Sequence, residues 1–159
     1  KSDFTWRKVT EETFITNLQP GDIVIKEKEV NPIGMFGHVA IMINERTLFD
    51  YPKFGYKSYY IDINFWLENG RDILVLRYKD MTDEFRKRLI KNMGKYFGKD
   101  YRISSDRMNT EGFYCSQYIW YIYYITAQEM GFELDLDSDG GNFVLPYDFI
   151  NSPYLEIVN

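Results

Sequence analysis

The sequence predicts an α+β domain, because apolar runs of strand length crowd its first half and helical periodicity fills much of its second. Strand-like runs fall at 23–25, 39–43, 47–51, 58–63 and 73–78, bounded by Gly, Pro, Asn or charged residues. After Met81 the apolar period lengthens to about 3.6 residues, and a second helical segment follows the single cysteine, Cys115. No internal repeat, low-complexity stretch or linker interrupts the chain, so 1–159 reads as a single domain.

Taken in order, Thr10-Glu11-Glu12 predicts the start of a short helix with Phe14, Ile15 and Leu18 on one side, ended by Pro20-Gly21. Gly21-Asp22-Ile23-Val24-Ile25 then reads as a strand, and the Lys/Glu run with Asn31-Pro32 and Gly34 as an exposed loop. Residues 39–43 make a buried strand just after His38, and a tight turn at Asn44-Glu45-Arg46 leads back into 47–51. A strand at 58–63, a helical turn around Phe65-Trp66-Leu67 and a strand at 73–78 follow. Thr82 caps the next helix, Asp83 and Glu84 suit its positive end, and Phe85, Leu89, Met93 and Tyr96 line one face up to Gly98. The Cys115 helix runs to Gly131. An acidic loop covers 134–141, Pro146-Tyr147-Asp148 begins a short turn or helix, and 155–158 offers an edge strand.

Composition narrows the function. A net charge of -5 and pI near 5.0, with no Lys/Arg block, remove the footprint of a nucleic-acid binder. The same charge favours a cationic or neutral group in a substrate over a strongly anionic one. A hydrophobic fraction of 45%, with 14 Tyr, 12 Phe and 3 Trp, argues for an aromatic-rich core and against disorder. One cysteine forms no internal disulfide, and one Cys with one His cannot complete a structural zinc site. The longest strongly apolar run, 118–125, is far short of the roughly 20 residues that span a bilayer. The chain begins at Lys1 without an initiator Met or a signal peptide, as a mature or trimmed form would.

Cys115 stands where the polar run 104–112 gives way to a helix, and a helix start offers unpaired N–H groups that favour an anion. Its alternative is a small buried hydrophobe. Ser116-Gln117, polar where a purely structural helix would continue its apolar face, argue for the functional reading. His38, the only histidine, sits at the mouth of a strand beside Gly37, which leaves room next to the ring; its alternative is a hydrogen-bonded strand-end histidine. One thiol and one imidazole make at most one Cys-His pair.

The order Gly21-Asp22-Ile23-Val24-Ile25, Gly37-His38-Val39-Ala40-Ile41, Gly98-Lys99-Asp100-Tyr101, Phe113-Tyr114-Cys115-Ser116-Gln117 and Pro146-Tyr147-Asp148 resembles the YiiX/YebB-like branch of NlpC-type papain-like hydrolases. That branch is circularly permuted, with the His strand before the Cys helix. The resemblance implies an antiparallel sheet packed against helices and a thiol hydrolase, a cysteine peptidase or amidase. In it Cys115 attacks a carbonyl to form a thioester and His38 moves the proton. It also implies that the Cys115 N–H stabilises the oxyanion and that the Tyr101 hydroxyl is a second donor or a substrate contact; the alternative for Tyr101 is one more packed tyrosine. Asp50 is expected to orient His38. A three-residue turn at 44–46 would set it opposite Ala40 on the face of His38, whereas a two-residue turn would point it away. No cofactor or metal is implied. The expected substrate is a small or cell-wall-type peptide, and the expected location the bacterial envelope or outside the cell. An acyltransferase or lipid esterase of the permuted papain-like type, acting on an acyl-containing substrate, is one alternative; a binding module without turnover is another. Oligomeric state is not legible.

Asp135-Leu136-Asp137-Ser138-Asp139-Gly140 matches the first half of an EF-hand loop, but its twelfth position is Pro146. A solvated acidic loop is the better reading, since calcium would need a replacement ligand such as Asp148.

Overall fold

The computed structural model describes residues 4–30 and 35–158, so the loop expected at Asn31-Pro32 and Gly34 lies outside the described residues. Seven strands form one sheet in the order β1-β6-β2-β3-β4-β5, with β9 also on β6. They are β1 (Arg7–Lys8), β2 (Ile23–Lys26), β3 (His38–Met42), β4 (Thr47–Asp50), β5 (Tyr59–Asp62), β6 (Asp72–Tyr78) and β9 (Leu155–Ile157). Every pairing in this sheet is antiparallel. Ile73 and Asp72 of β6 pair with β1, and Leu76 to Tyr78 with β9, so two short strands share one edge.

Alternation along the strands decides what covers each face. Ile23, Ile25, Val39, Ile41, Phe49, Tyr51, Leu74 and Leu76 join the cluster that packs on α2 (Asp83–Lys95) and α3 (Cys115–Glu129). Val24, Ala40, Met42, Leu48 and Val75 face the other way, onto Leu18 and onto Ile63 and Trp66 of the one-turn helix α1 (Ile63–Trp66). Nearly the whole circumference of α3 between Cys115 and Tyr123 is buried, as expected of a helix apolar all round. Phe49 stacks on Tyr118 with centroids 4.7 Å apart, and the Tyr123 hydroxyl donates to the Gly21 carbonyl at 2.6 Å.

The helix expected after Thr10 does not form. Thr10 N–H is taken by the Thr13 hydroxyl at 2.6 Å, Asn17 adopts φ 62, and Phe14 is exposed, leaving Leu18 as the segment's anchor. Thr82 does cap α2, accepting from Phe85 N at 3.1 Å, but the helix stops at Lys95 short of Gly98. Tyr51 draws the Tyr96 carbonyl out of the helical pattern with a 2.7 Å hydrogen bond. Two further strands had no periodic signal: β7 (Asp100–Tyr101) and β8 (Gly112–Phe113), a parallel pair. A Cβ on Gly112 would lie 2.7 Å from the Asp100 carbonyl, so this approach requires glycine.

Asp22 of the Gly-Asp motif is 1% exposed and accepts both Arg77 Nε at 2.9 Å and Arg77 Nη2 at 2.8 Å, besides Gln19 N at 2.9 Å. This bidentate pair locks β2 to β6. Arg77→Ala strands the buried carboxylate and is expected to cost about 3–5 kcal/mol in urea unfolding. A loss below about 1 kcal/mol, the range of exposed pairs, would show that water replaces the guanidinium.

Candidate active site

The β3–β4 register follows a three-residue turn: Ile41 faces Phe49, Met42 faces Leu48, and Ile43 N bonds Thr47 O at 2.8 Å. Continuing that register sets Asp50 opposite Ala40, on the face of His38. His38 Nε2 lies 2.7 Å from Asp50 Oδ1. The opposite ring nitrogen, Nδ1, is left for Cys115, whose hydrogen bond and charge both act on the imidazole. Cys115 is the first residue of α3 and buried, and its N–H belongs to the first-turn donors that have no intrahelical acceptor.

Burial pulls the His38 pKa down, yet the charges of Asp50 and Cys115 and their hydrogen bonds outweigh it and hold His38 up at about 10. Asp50 is 2% exposed, so its lone pairs must be met from the protein. Besides His38 it takes the Trp66 indole N–H on Oδ2 at 3.1 Å. Tyr59, across β4–β5 from Asp50, completes the set. Burial first, then the Asp50 charge and hydrogen bond, push Tyr59 up to about 12. Trp66 also lies beside the imidazole, with ring centroids 5.8 Å apart.

Tyr101 enters from β7. Burial, then the charges of Cys115, Asp50 and Tyr114, raise its pKa, so the phenol stays protonated and able to donate beside the thiol. Its ring meets Phe54 edge-on at 5.2 Å, and Phe54 is 64% exposed. The four residues expected at the site, Cys115, His38, Asp50 and Tyr101, thus converge from α3, β3, β4 and β7.

Two expectations about neighbours change. Ser116 and Gln117 are buried and serve as pins: Ser116 Oγ donates to the Val144 carbonyl, and Gln117 Nε2 to Arg107 O at 3.0 Å and Asn109 O at 3.1 Å. Their polarity fastens two loops to the start of α3. Gly37, read as clearance for an approaching group, has φ 77, and a Cβ there would meet the Lys26 carbonyl at 2.9 Å and the Tyr147 ring at 3.1 Å. Backbone packing explains it. Trp66 and Tyr59 escaped sequence reading, because nothing local marks an indole 16 residues after Asp50 as its donor.

The acidic loop gathers Asp137, Asp139 and Asp148, with carboxylate oxygens all within 4.8 Å of one another. Asp148 is thus where a replacement ligand would be needed. Burial, opposed by the Leu145 N–H and reinforced by Asp137 and Asp139, lifts Asp148 to about 6. Arg107 pairs with Asp137 and donates to the Gly141 carbonyl, so a protein cation already neutralises the most buried carboxylate. The loop is thus not the freely solvated one expected: its central carboxylate is buried, paired with Arg107 and bonded to the Asp139 N–H.

No curated protein matches the chain. Among solved structures it is similar to the crystal structure of metalloprotein yiiX from Escherichia coli O157:H7, with a TM-score of 0.66 and 16% identity over 89% of this chain and 96% of that one. That likeness shows the fold. No helix among the described residues is long and apolar enough to cross a membrane. Residues 17–159 match the family described as permuted papain-like amidase enzyme, YaeF/YiiX, C92, and the chain, an antiparallel sheet with its His strand ahead of its Cys helix, belongs to that family.

Proposed function

We propose that this chain hydrolyses an amide bond in a small or cell-wall-type peptide, with Cys115 as nucleophile, His38 as proton carrier, Asp50 as its orienting carboxylate, and the Cys115 N–H and Tyr101 hydroxyl as oxyanion donors. The observation that carries the reading is the 2.7 Å contact of His38 Nε2 with Asp50 Oδ1, on a ring whose protonation is also supported by the charge and hydrogen bond of Cys115. A carboxylate on Nε2 fixes the tautomer and supports the imidazolium beside a thiolate. The thiolate Sγ bonds the amide carbon, the carbonyl electrons move onto oxygen, and two donors meet that oxyanion. As the tetrahedral species collapses the C–N bond breaks, and the imidazolium gives its proton to the departing amine. Water, deprotonated by His38, then cleaves the thioester, and the proton returns to the pair.

A panel of short peptides with varied termini, followed by mass spectrometry, tests the activity. Turnover by wild type and its loss in Cys115→Ala are expected; no cleavage across the panel and no acyl-enzyme adduct would defeat the reading. With His38 held up at about 10, kcat/KM is expected to fall only as the pH rises towards about 10. Asp50→Asn is expected to lower kcat on the order of 10²- to 10⁴-fold by releasing the ring. Tyr101→Phe is expected to lower it about 10²-fold with KM little changed, the signature of a donor used in the transition state. Wild-type rates in either variant would remove that residue from the mechanism.

Stability carries the same signature. The folded value for His38 lies above the ordinary 6.5, so its contribution is full below about pH 6.5 and drains away as pH rises towards about 10. The melting-temperature advantage of wild type over His38→Gln should therefore be largest near pH 6 and shrink steadily up to pH 10. An advantage that grew with pH would contradict an imidazolium held in the fold.

A further inference from the structure

Lys26 is the last residue of β2 and stands directly across from His38 in β3. It is 5% exposed, an unusual burial for a lysine, which is rarely fully buried unless paired. Its ammonium lies 4.0 Å from the centroid of the Trp66 ring and 2.9 Å from Glu68 Oε1. Pairing with Glu68 alone would not require this burial, because Glu68 is exposed and already held by Arg71 at 3.0 Å. What the buried position adds is contact with the indole whose N–H is bonded to Asp50. A cation over an aromatic face is attracted by the ring's quadrupole, and it draws density from the ring, which makes the indole N–H a stronger donor. Burial lowers the Lys26 pKa, while the Glu68 hydrogen bond and charge and, more weakly, Asp50 act to keep the ammonium.

We infer that Lys26 is a positioning residue for the His38–Asp50 pair: its ammonium fixes the Trp66 ring, the indole N–H fixes Asp50 Oδ2, and Oδ1 is thereby held against His38 Nε2. The chain of contacts alternates in sign, from imidazole through carboxylate, indole and ammonium to the Glu68 carboxylate. Lys26 acts through Trp66 and touches no reacting atom. This inference rests on the amidase reading for its effect on rate, but its effect on the imidazole is independent of turnover.

The chain has one histidine, so its imidazole gives one set of nitrogen-correlated NMR signals without assignment. In wild type a downfield His38 Nε2–H signal, bonded to Asp50, is expected. Lys26→Met keeps the apolar stem and removes the charge; it should broaden or erase that signal and slow iodoacetamide labelling of Cys115 at pH 7 by about tenfold, the usual scale for an outer partner of a functional imidazole. Lys26→Arg keeps a cation over the ring and should restore both readouts. Trp66→Phe keeps a ring and removes the N–H, and should behave like Lys26→Met. If Lys26→Met fails to fold, Glu68→Gln, which weakens the exposed anchor of the ammonium along with the Arg71 pair, should give the same loss in smaller measure. An unchanged Nε2–H signal and labelling rate in Lys26→Met, with only a lower melting temperature, would overturn the inference and leave Lys26 as packing. Wild-type labelling no faster than that of His38→Ala would instead sink the amidase reading, while the imidazole signal would still decide the role of Lys26.

Discussion

Keeping a carboxylate charged at 2% exposure is costly unless donors replace the water it has lost, and Asp50 meets that condition with an imidazole, an indole and a phenol. Each donor comes from a different element: β3, α1 and β5. The turn at 44–46 sets the face on which Asp50 points, and the one-turn helix α1 brings Trp66 down onto it. Asp62 makes that short helix possible by capping Asn64 N at 2.9 Å, while Ile63 N is tied to Arg46 O at 2.8 Å. The turn that fixes the β3–β4 register therefore also helps to seat the indole. A carboxylate saturated in this way has little freedom to turn, and the imidazole inherits its orientation.

The thiol side is fixed by packing of a different kind. Because α3 is buried around almost its whole surface, its rotation and height are set by Phe49, Tyr51 and Phe113 around Tyr118, and by Tyr123 on Gly21. Polar pins at Ser116 and Gln117 hold the flanking loops to its first turn. The sheet thus presents the imidazole from one side and the helix presents the thiol from the other. Chain order is immaterial to that meeting, which is why a permuted arrangement can reproduce a papain-like pair.

Strands with uninterrupted β-branched runs, and helices with a cap and an apolar face, were legible because their signals are local. Thr82 before Asp83-Glu84 and the 39–43 run illustrate both. The candidate site was legible only as far as its residues are rare: a single Cys and a single His can form only one such pair, and the position of Asp50 on the face of His38 followed once a turn length was assumed. Trp66, Tyr59 and Lys26 were not, since they reach Asp50 across strands or through a ring, and no spacing in the sequence encodes that. Two-residue strands such as β7 and β8 carry no period, so the position of Tyr101 depends on the Gly112 approach. The stretch 10–18 misled because caps and acidic residues describe a helix start even where the Thr13 hydroxyl takes the Thr10 N–H and the chain turns instead.

The surroundings of the pair are unequal. On the Asp50 side, Trp66 and Lys26 are buried and cover the sheet face, while Tyr59 stands at its margin, partly exposed. On the Tyr101 side the aromatic groups lie at the surface: Phe54 meets Tyr101 edge-on and is well exposed, and Tyr56, whose carbonyl accepts from Tyr101 N at 3.2 Å, is exposed as well. On the proposed mechanism the oxyanion must form between the start of α3 and the Tyr101 hydroxyl, so the scissile carbonyl enters from this aromatic side. Substrate groups flanking it then lie on flat, weakly polar rings, which favours residues that stack over residues that carry strong negative charge. Selectivity would accordingly reside in the 51–58 connection and the loop after β7, while the buried Asp50 network supplies a fixed frame that those loops can vary around.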